Sequence, residues 1–554
     1  MSEKVTARSK DDGLVVCEAR PVSYIISIDQ STQGTKALLF DEKGKLLGRE
    51  DLPHRQIVND LGWASHDPEE IYANTIQVVR RLLQSARIAP EHVAALGISN
   101  QRETSLVWEK ATGRPIADAV VWQCARAAGI CERVRSGGSA TKDAVCLNNA
   151  ESLAGENSAG ENFAVENFVG KTFDKTVCDI DDLIRRKTGL TLSPYFSAAK
   201  LAWILENTEG AKKKAARHEL CMGTIDTWLL FKMTGGKAYK TDYSNASRTQ
   251  LFNIFDLKWD EEICGLFGID PNDLAEVCDS NSRFGETDLG GTFPQPIPIC
   301  GVLGDSHGAL FGQGCLEKGM IKATYGTGSS IMMNIGETPV LSTHGVVTSL
   351  AWGMDGKVNY CLEGNINYTG AVISWLKEDV GLIASAGETE GISEAALKDD
   401  SLYFIPAFTG LGAPYWDSAA TGSLSGITRT TGKNEIVRAC VECIAYQIAD
   451  VIEAMSTDSD LSVKELRVDG GPTRNSYLMQ FTSDILDANV LVPETEELSG
   501  IGAAYAAGIG CGLYGPDIFD GMRRKVYCSK MPKRVREKKT AGWKNAVKRT
   551  LTKA

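Results

Sequence analysis

The chain has 554 residues, of which 43% are hydrophobic and 23% charged, and a net charge of -12. That length exceeds one ordinary core and points to two large domains or three smaller ones, while the acidic balance excludes a general nucleic-acid binder. No apolar run is long enough to span a bilayer and residues 1–20 show scattered charge without an apolar export segment, so a cytoplasmic protein with no stable membrane insertion is expected.

Residues 1–20 read as a flexible extension. YIISIDQ then reads as a buried strand, STQGT as a tight polar turn, and KALLFDE and KLLGREDL as two more strands of an antiparallel meander. DPEEIYANTIQVVRRLLQSA predicts a helix with Asp67 as N-cap, Pro68 at its first position and Glu70 closing a capping box. AALGISN and SLVW return to strand. Residues 137–178, polar and rich in small residues with near-repeats of AGEN and VENF, read as an expanded surface loop. Its GKT lacks the required glycine five residues earlier, where Val165 stands, and is no phosphate loop.

MIKATYGTGSSIMMNIGE repeats the opening plan of strand, Gly/Thr/Ser turn and strand. Two halves that share this plan suggest a duplicated fold with a cleft between them. RACVECIAYQIADVI has a helical apolar period, so Cys440 and Cys443 read as helix residues, and the fifteen cysteines, odd in number and without framework spacing, read as reduced thiols. RVDGGPTRNSYLMQF reads as strand, glycine turn and helix, with Gly471 and Asn475 facing a flat ligand such as adenine. In the basic tail, Trp543, Ala546 and Val547 fall at helical spacing and predict a terminal helix with a solvated basic face.

Phosphate chemistry needs backbone N–H groups, small hydroxyls, a cation and a carboxylate converging on anionic oxygens. IDQSTQGTK supplies Asp29, Thr32, Gly34, Thr35 and Lys36, and the second hairpin supplies Thr327 between Gly326 and Gly328. Either hairpin alone is ordinary turn geometry; the pair points to nucleotide phosphates. For a hydroxylated substrate, Arg102 and Glu103 offer donors and an acceptor, Trp122 an apolar plate and Tyr195 a phenol. GDSHGALFG sets Asp305, Ser306 and His307 side by side. A serine hydrolase would need a late histidine, yet the last one is His344, and adjacent residues do not make a triad.

The stretches DQSTQGTKALLFD, GWASHDPEEIY, ISNQRETSLVWEKATGRPI, VVWQCAR, TDYSNASRTQLFNI, AFTGLGAPYWD and RVDGGPTRN run in order from about residue 23 to the tail. Together they resemble the FGGY carbohydrate kinases, and within them the glycerol kinases. The resemblance implies an α/β, two-domain, actin-like and ribonuclease H-like fold with an interdomain cleft, divided into an N-terminal domain at 21–300 and a C-terminal domain at 301–554. It implies ATP and Mg²⁺ as cofactors and phosphorylation of a polyol hydroxyl, glycerol to sn-glycerol 3-phosphate. Carried over residue by residue, Thr32, Gly34 and Lys36 match phosphate-hairpin contacts, and Thr327, Gly370, Ser374, Gly471 and Asn475 match nucleotide positions. Arg102, Glu103, Trp122, Tyr195 and Asp305 match the polyol site, with Asp305 as the base and Asp29 near Mg²⁺ through water.

Four departures accompany the match. Ser306 and Ser330 stand where glycerol kinases usually carry Gln and Phe, and Ser374 where they often carry Gln. The two pocket serines favour a roomier, wetter site and leave a longer polyol or ketose, such as erythritol or xylulose, as an alternative substrate. Phe255 in NIFDLKWD replaces the phosphorylatable histidine of some bacterial glycerol kinases, so activation by that route is not expected. A non-catalytic sugar sensor or scaffold on the same fold is a further alternative, opposed by the retained Asp305 and both hairpins. A homo-oligomer, dimer or tetramer, stays open.

Overall fold

The computed structural model describes residues 23–137, 179–397 and 401–552, together with two short paired strands, Thr6–Ala7 and Val15–Val16. Beyond those two strands, the expected flexible extension lies outside the described residues, as does the expected surface loop from residue 138 onward.

Two sheets organise the chain. In the first, the order is Gly285–Thr287, Ile297–Gly304, Val93–Asn100, Tyr24–Gln30, Gly34–Phe40 and Leu46–Pro53. The predicted meander is present, antiparallel through Ile26↔Leu39 and Leu38↔Arg49, and Tyr24–Gln30 and Ile297–Gly304 flank Val93–Asn100 in parallel. Helices cover both faces of the middle of the sheet, which is why Tyr24–Gln30, Val93–Asn100 and Ile297–Gly304 are near-continuous buried runs, whereas the edge strand Leu46–Pro53 alternates. Ile26 and Ile28 pack under the helix Pro68–Ala86, while Ile25 and Leu38 pack under Leu498–Gly510. Gly97 and Gly301 let that second helix approach: a Cβ on them would stand 2.3 and 2.7 Å from the Ala503 carbonyl oxygen.

The second sheet runs Val347–Met354, Lys357–Ile366, Ser329–Gly336, Ile321–Tyr325, Glu465–Asp469, Asn489–Pro493 and Arg524–Tyr527. Its middle five strands, three antiparallel and then two parallel, repeat the plan of the first sheet, so the expected duplication is present. The helices Asp305–Gly312 and Leu498–Gly510 pack against each other so closely that a Cβ on Gly502 would fall 1.9 Å from the Gly308 carbonyl oxygen.

Local readings are mostly met. Asp67 caps Pro68–Ala86 by accepting from the Glu69 and Glu70 amides. Glu70 does not close a capping box, because its carboxylate accepts from the Arg55 amide instead. Cys440 and Cys443 are wholly buried in the helix Lys433–Ser459, and Trp543, Ala546 and Val547 form the buried stripe of Lys533–Thr550. Phe255 is exposed in the turn between Phe252–Asn253 and Lys258–Trp259. Among the described residues no helix is long and apolar enough to cross a membrane.

Candidate active site

Asp305 opens the helix Asp305–Gly312 directly after the strand Ile297–Gly304. Its Oδ1 accepts from Arg102 Nε at 3.1 Å, and its side chain stays 37% exposed while that of Arg102 is 5% exposed. The carboxylate is therefore held in one rotamer but open to a ligand. Gly304 permits the clasp, since a Cβ there would lie 2.6 Å from Arg102 Cγ.

Arg102 is itself held by Glu363, through Nη1 to Oε2 at 2.8 Å and Nη2 to Oε1 at 3.0 Å. Arg248 completes a buried quartet, with Nε on Glu103 Oε1 at 2.6 Å and Nη1 on Glu363 Oε2 at 3.0 Å. Burial alone would raise the Glu363 carboxyl, but the Arg102 and Arg248 guanidinia hold it well below the usual carboxylate range. Glu103 reaches Arg248 from a left-handed backbone, φ 59°, a conformation that side chains other than glycine rarely adopt. This adjacent Arg–Glu pair is thus two halves of a four-charge network; the residues do not bridge each other. Glu363 and Arg248 were not singled out in the sequence. Arg248 lies within the quoted TDYSNASRTQLFNI, but Glu363 sits in a strand 261 residues beyond Arg102 and carries no local signal.

Ser306 and His307 do not form a nucleophile and base. Ser306 Oγ accepts from Arg102 Nη2 at 3.0 Å. His307 is buried with Nε2 3.3 Å from Ser349 Oγ, and burial, then Arg102, hold its pKa well below the usual histidine range.

Trp122 and Tyr195 meet edge to face at 5.4 Å between ring centroids, and Trp122 Nε1 donates to Thr32 Oγ1 at 2.9 Å. The apolar plate is thereby tied to the first hairpin. Lys200, wholly buried, donates to the Tyr195 and Phe196 carbonyl oxygens and fixes the turn that carries the phenol; burial brings its pKa down to about 7.

In the first hairpin Asp29 and Lys36 are directly opposed, with Lys36 Nζ 3.3 Å from Asp29 Oδ2 and 3.0 Å from Glu497 Oε2. Lys36 is therefore neutralised within the protein rather than aimed as a free cation. Burial raises the pKa of Asp29, against the opposing charge of Lys36. Thr32 and Gly34 are half-buried at the turn, whereas Thr35 alternates to the opposite face of its strand and is wholly buried.

In the second hairpin Thr327 is exposed, and its carbonyl oxygen accepts from the Thr369 and Ala371 amides. The Gly370 amide donates to the Gly326 carbonyl oxygen at 2.9 Å, so the helix Gly370–Glu378, with Ser374 exposed on it, starts against this turn. Ser330 is half-buried beside the wholly buried Lys322, whose Nζ lies 3.4 Å from the Ser330 carbonyl oxygen and 3.5 Å from Oγ. At the third turn Gly470, φ 100°, is required by close packing on the Tyr325 carbonyl oxygen, while Gly471 is exposed with open space where a Cβ would stand. Asn475 caps the helix Ser476–Leu486 through Oδ1 and donates to Thr389 Oγ1 at 3.0 Å.

The arrangement is a clasped, partly exposed carboxylate together with two glycine hairpins, one from each sheet. Family models for the FGGY carbohydrate kinases match the chain, the N-terminal domain at residues 24–147 and 178–312 and the C-terminal domain at 321–511. Glycerol kinase 1 of Thermotoga maritima is 43% identical over 96% of this chain and 100% of its own. Glycerol kinase of Bacillus subtilis is 43% identical over 89% and 91%. Among solved structures, Plasmodium falciparum glycerol kinase with ADP superposes with a TM-score of 0.83 at 32% identity, covering 96% of this chain and 99% of that one. A xylulose kinase from Lactobacillus acidophilus, at TM-score 0.76 and 21% identity over 94% and 96%, shares the fold. The chain belongs to the FGGY family of carbohydrate kinases, on their α/β, two-domain, actin-like fold.

Proposed function

We propose that this kinase transfers the γ-phosphoryl group of ATP to a terminal hydroxyl of glycerol, giving glycerol 3-phosphate, with Asp305 as general base. The observation that carries the reading is the Asp305 carboxylate, pinned through Oδ1 by Arg102 and 37% exposed. Relatives named as glycerol kinases, 43% identical over nearly their whole length, support glycerol as the acceptor.

In this mechanism the glycerol oxygen bonds to the γ-phosphorus, its proton passes to Asp305 Oδ2, and the bond to the β-phosphate oxygen breaks with its electron pair leaving on ADP. Arg102 and Glu103 orient the remaining hydroxyls, and the Trp122–Tyr195 pair packs on the carbon chain. Thr32 and Gly34 in one hairpin and Thr327 in the other offer hydroxyls and N–H groups to the phosphates, while Gly370, whose amide is spent on the Gly326 carbonyl oxygen, holds the second turn in place. The open face of Gly471 suits adenine.

The donor set fits Mg²⁺. Asp29 is one buried carboxylate with Oδ2 engaged by Lys36, and among the described residues no cluster of three or more ligating side chains exists. A site with one carboxylate suits an ion that keeps most of its water and takes other ligands from phosphate. When bound, Mg²⁺ spreads the charge of the transferring group. Thr35 and Asn475, engaged in packing and capping, support the hairpin and the adenine turn from behind. The described cysteines are unpaired, which suits a reducing, ATP-containing compartment such as the cytoplasm. The domain division belongs to the same reading, with one sheet in each half closing on the substrates.

A coupled assay of ADP release with MgATP and glycerol tests the proposal. Glycerol-dependent release, with one glycerol 3-phosphate formed per ADP, is expected; no release with glycerol or any other polyol overturns it.

A further inference from the structure

Three neighbouring strands of the second sheet set Thr324, Ser330 and Asn365 in one transverse row. Thr324 is in register with Ser330, and Ser330 with Asn365. Because side chains alternate along a strand, Asn365 shares its face with Glu363, two residues earlier. Glu363 Oε1 accepts from Arg102 Nη2 at 3.0 Å and from Asn365 Nδ2 at 3.1 Å. The same Arg102 nitrogen donates to Ser306 Oγ at 3.0 Å. The amide of Asn365 is thus linked to Ser306, beside the clasped Asp305, through one carboxylate oxygen of Glu363 and one guanidinium nitrogen of Arg102.

A carboxylate only accepts, so the partnership with Glu363 turns Nδ2 toward it and Oδ1 away. No described residue donates to that Oδ1, and Asn365 is half-buried. Ser330 stands alongside, with Oγ only at the limit of reach of Lys322 and its own proton free to donate. Side chains directly opposed on antiparallel strands are roughly 5 Å apart at Cβ. An acceptor and a donor at that spacing match a secondary alcohol, which gives one hydrogen bond and takes another.

We propose that Asn365 is a specificity-determining residue, forming with Ser330 a ledge that holds a hydroxyl beyond the third carbon of the acceptor, so that this kinase phosphorylates four- and five-carbon polyols or ketoses as well as glycerol. The inference rests on the kinase reading above. Arg102, Glu103 and the two aromatic rings serve any polyol end, whereas the ledge meets only a longer chain.

The test uses the full-length protein with MgATP and compares kcat/KM for glycerol, erythritol and xylulose in the wild type and in Asn365→Ala. Phosphorylation of at least one longer substrate is expected. In the variant its kcat/KM relative to that for glycerol should fall about tenfold, through KM, as for one lost hydrogen bond. Asn365→Ser repeats the comparison should the alanine variant fail to fold, and the wild-type panel needs no variant. Turnover of glycerol with none of the longer substrates, or an unchanged ratio in the variant, overturns the inference. Inertness toward every substrate, glycerol included, instead overturns the underlying reading, and this one with it.

Discussion

Arg102 and Glu363 form a two-point ion pair, 2.8 and 3.0 Å, that joins the loop after the strand Val93–Asn100 of the first sheet to the strand Lys357–Ile366 of the second. The pair buries charge from both halves of the molecule in one contact, at the base of the site. Removing one member of a buried pair leaves the other uncompensated, which costs about 3–5 kcal/mol. Glu363→Gln should therefore destabilise the protein by roughly that amount in urea unfolding. It should also lower kcat/KM, because Arg102 no longer fixes Asp305. Unfolding at the wild-type midpoint would show that the network carries no such cost.

Asp305→Asn keeps the size of the side chain and removes the base. General base catalysis is worth roughly a hundredfold to ten-thousandfold, so kcat should fall within that range while ATP affinity, measured by calorimetry, stays nearly unchanged. Near-normal turnover would transfer the proton to another group.

Trp122 Nε1 bonds to Thr32 Oγ1 and so couples the acceptor's apolar plate to the phosphate hairpin. Trp122→Phe retains a ring but not the donor. The expected loss, about 1 kcal/mol, corresponds to roughly a fivefold rise in KM for the polyol. A change in ATP affinity alone would place the effect wholly on the hairpin.

Asp450 lies under the terminal helix, accepting from Trp543 Nε1 at 2.6 Å and Tyr415 Oη at 2.9 Å, and burial pushes its carboxyl up to about 7. The folded state thus binds this proton more tightly than the unfolded chain. Its contribution to stability is fully present below the ordinary aspartate pKa and is lost as pH rises toward 7, at about 1.4 kcal/mol per pH unit. Asp450→Asn removes that titration. The stability difference, variant minus wild type, should grow from pH 5 to pH 8; a pH-independent difference in thermal unfolding would contradict it.

The sequence by itself determined the elements whose signals are local. The runs around Ile26 and Ile28, the Asp67 cap, the two glycine hairpins and the strand–turn–helix at Gly470 all follow from patterning and backbone freedom within a few residues. The resemblance of several motifs in order then carried the family and the candidate base, Asp305. Only the tertiary structure decided which charges meet. Glu363 and Arg248 become partners of Arg102 and Glu103 because two sheets, distant in sequence, close around one desolvated cluster. Lys36 becomes a bridge between Asp29 and Glu497 instead of a free cation, and Glu70 turns from its own helix cap to the Arg55 amide. Thr35 leaves the turn's exposed face because strand alternation sends it into the core. Hydrophobic period and turn chemistry act over short range and are written along the chain; the pairing of buried charges is a property of the folded space between elements.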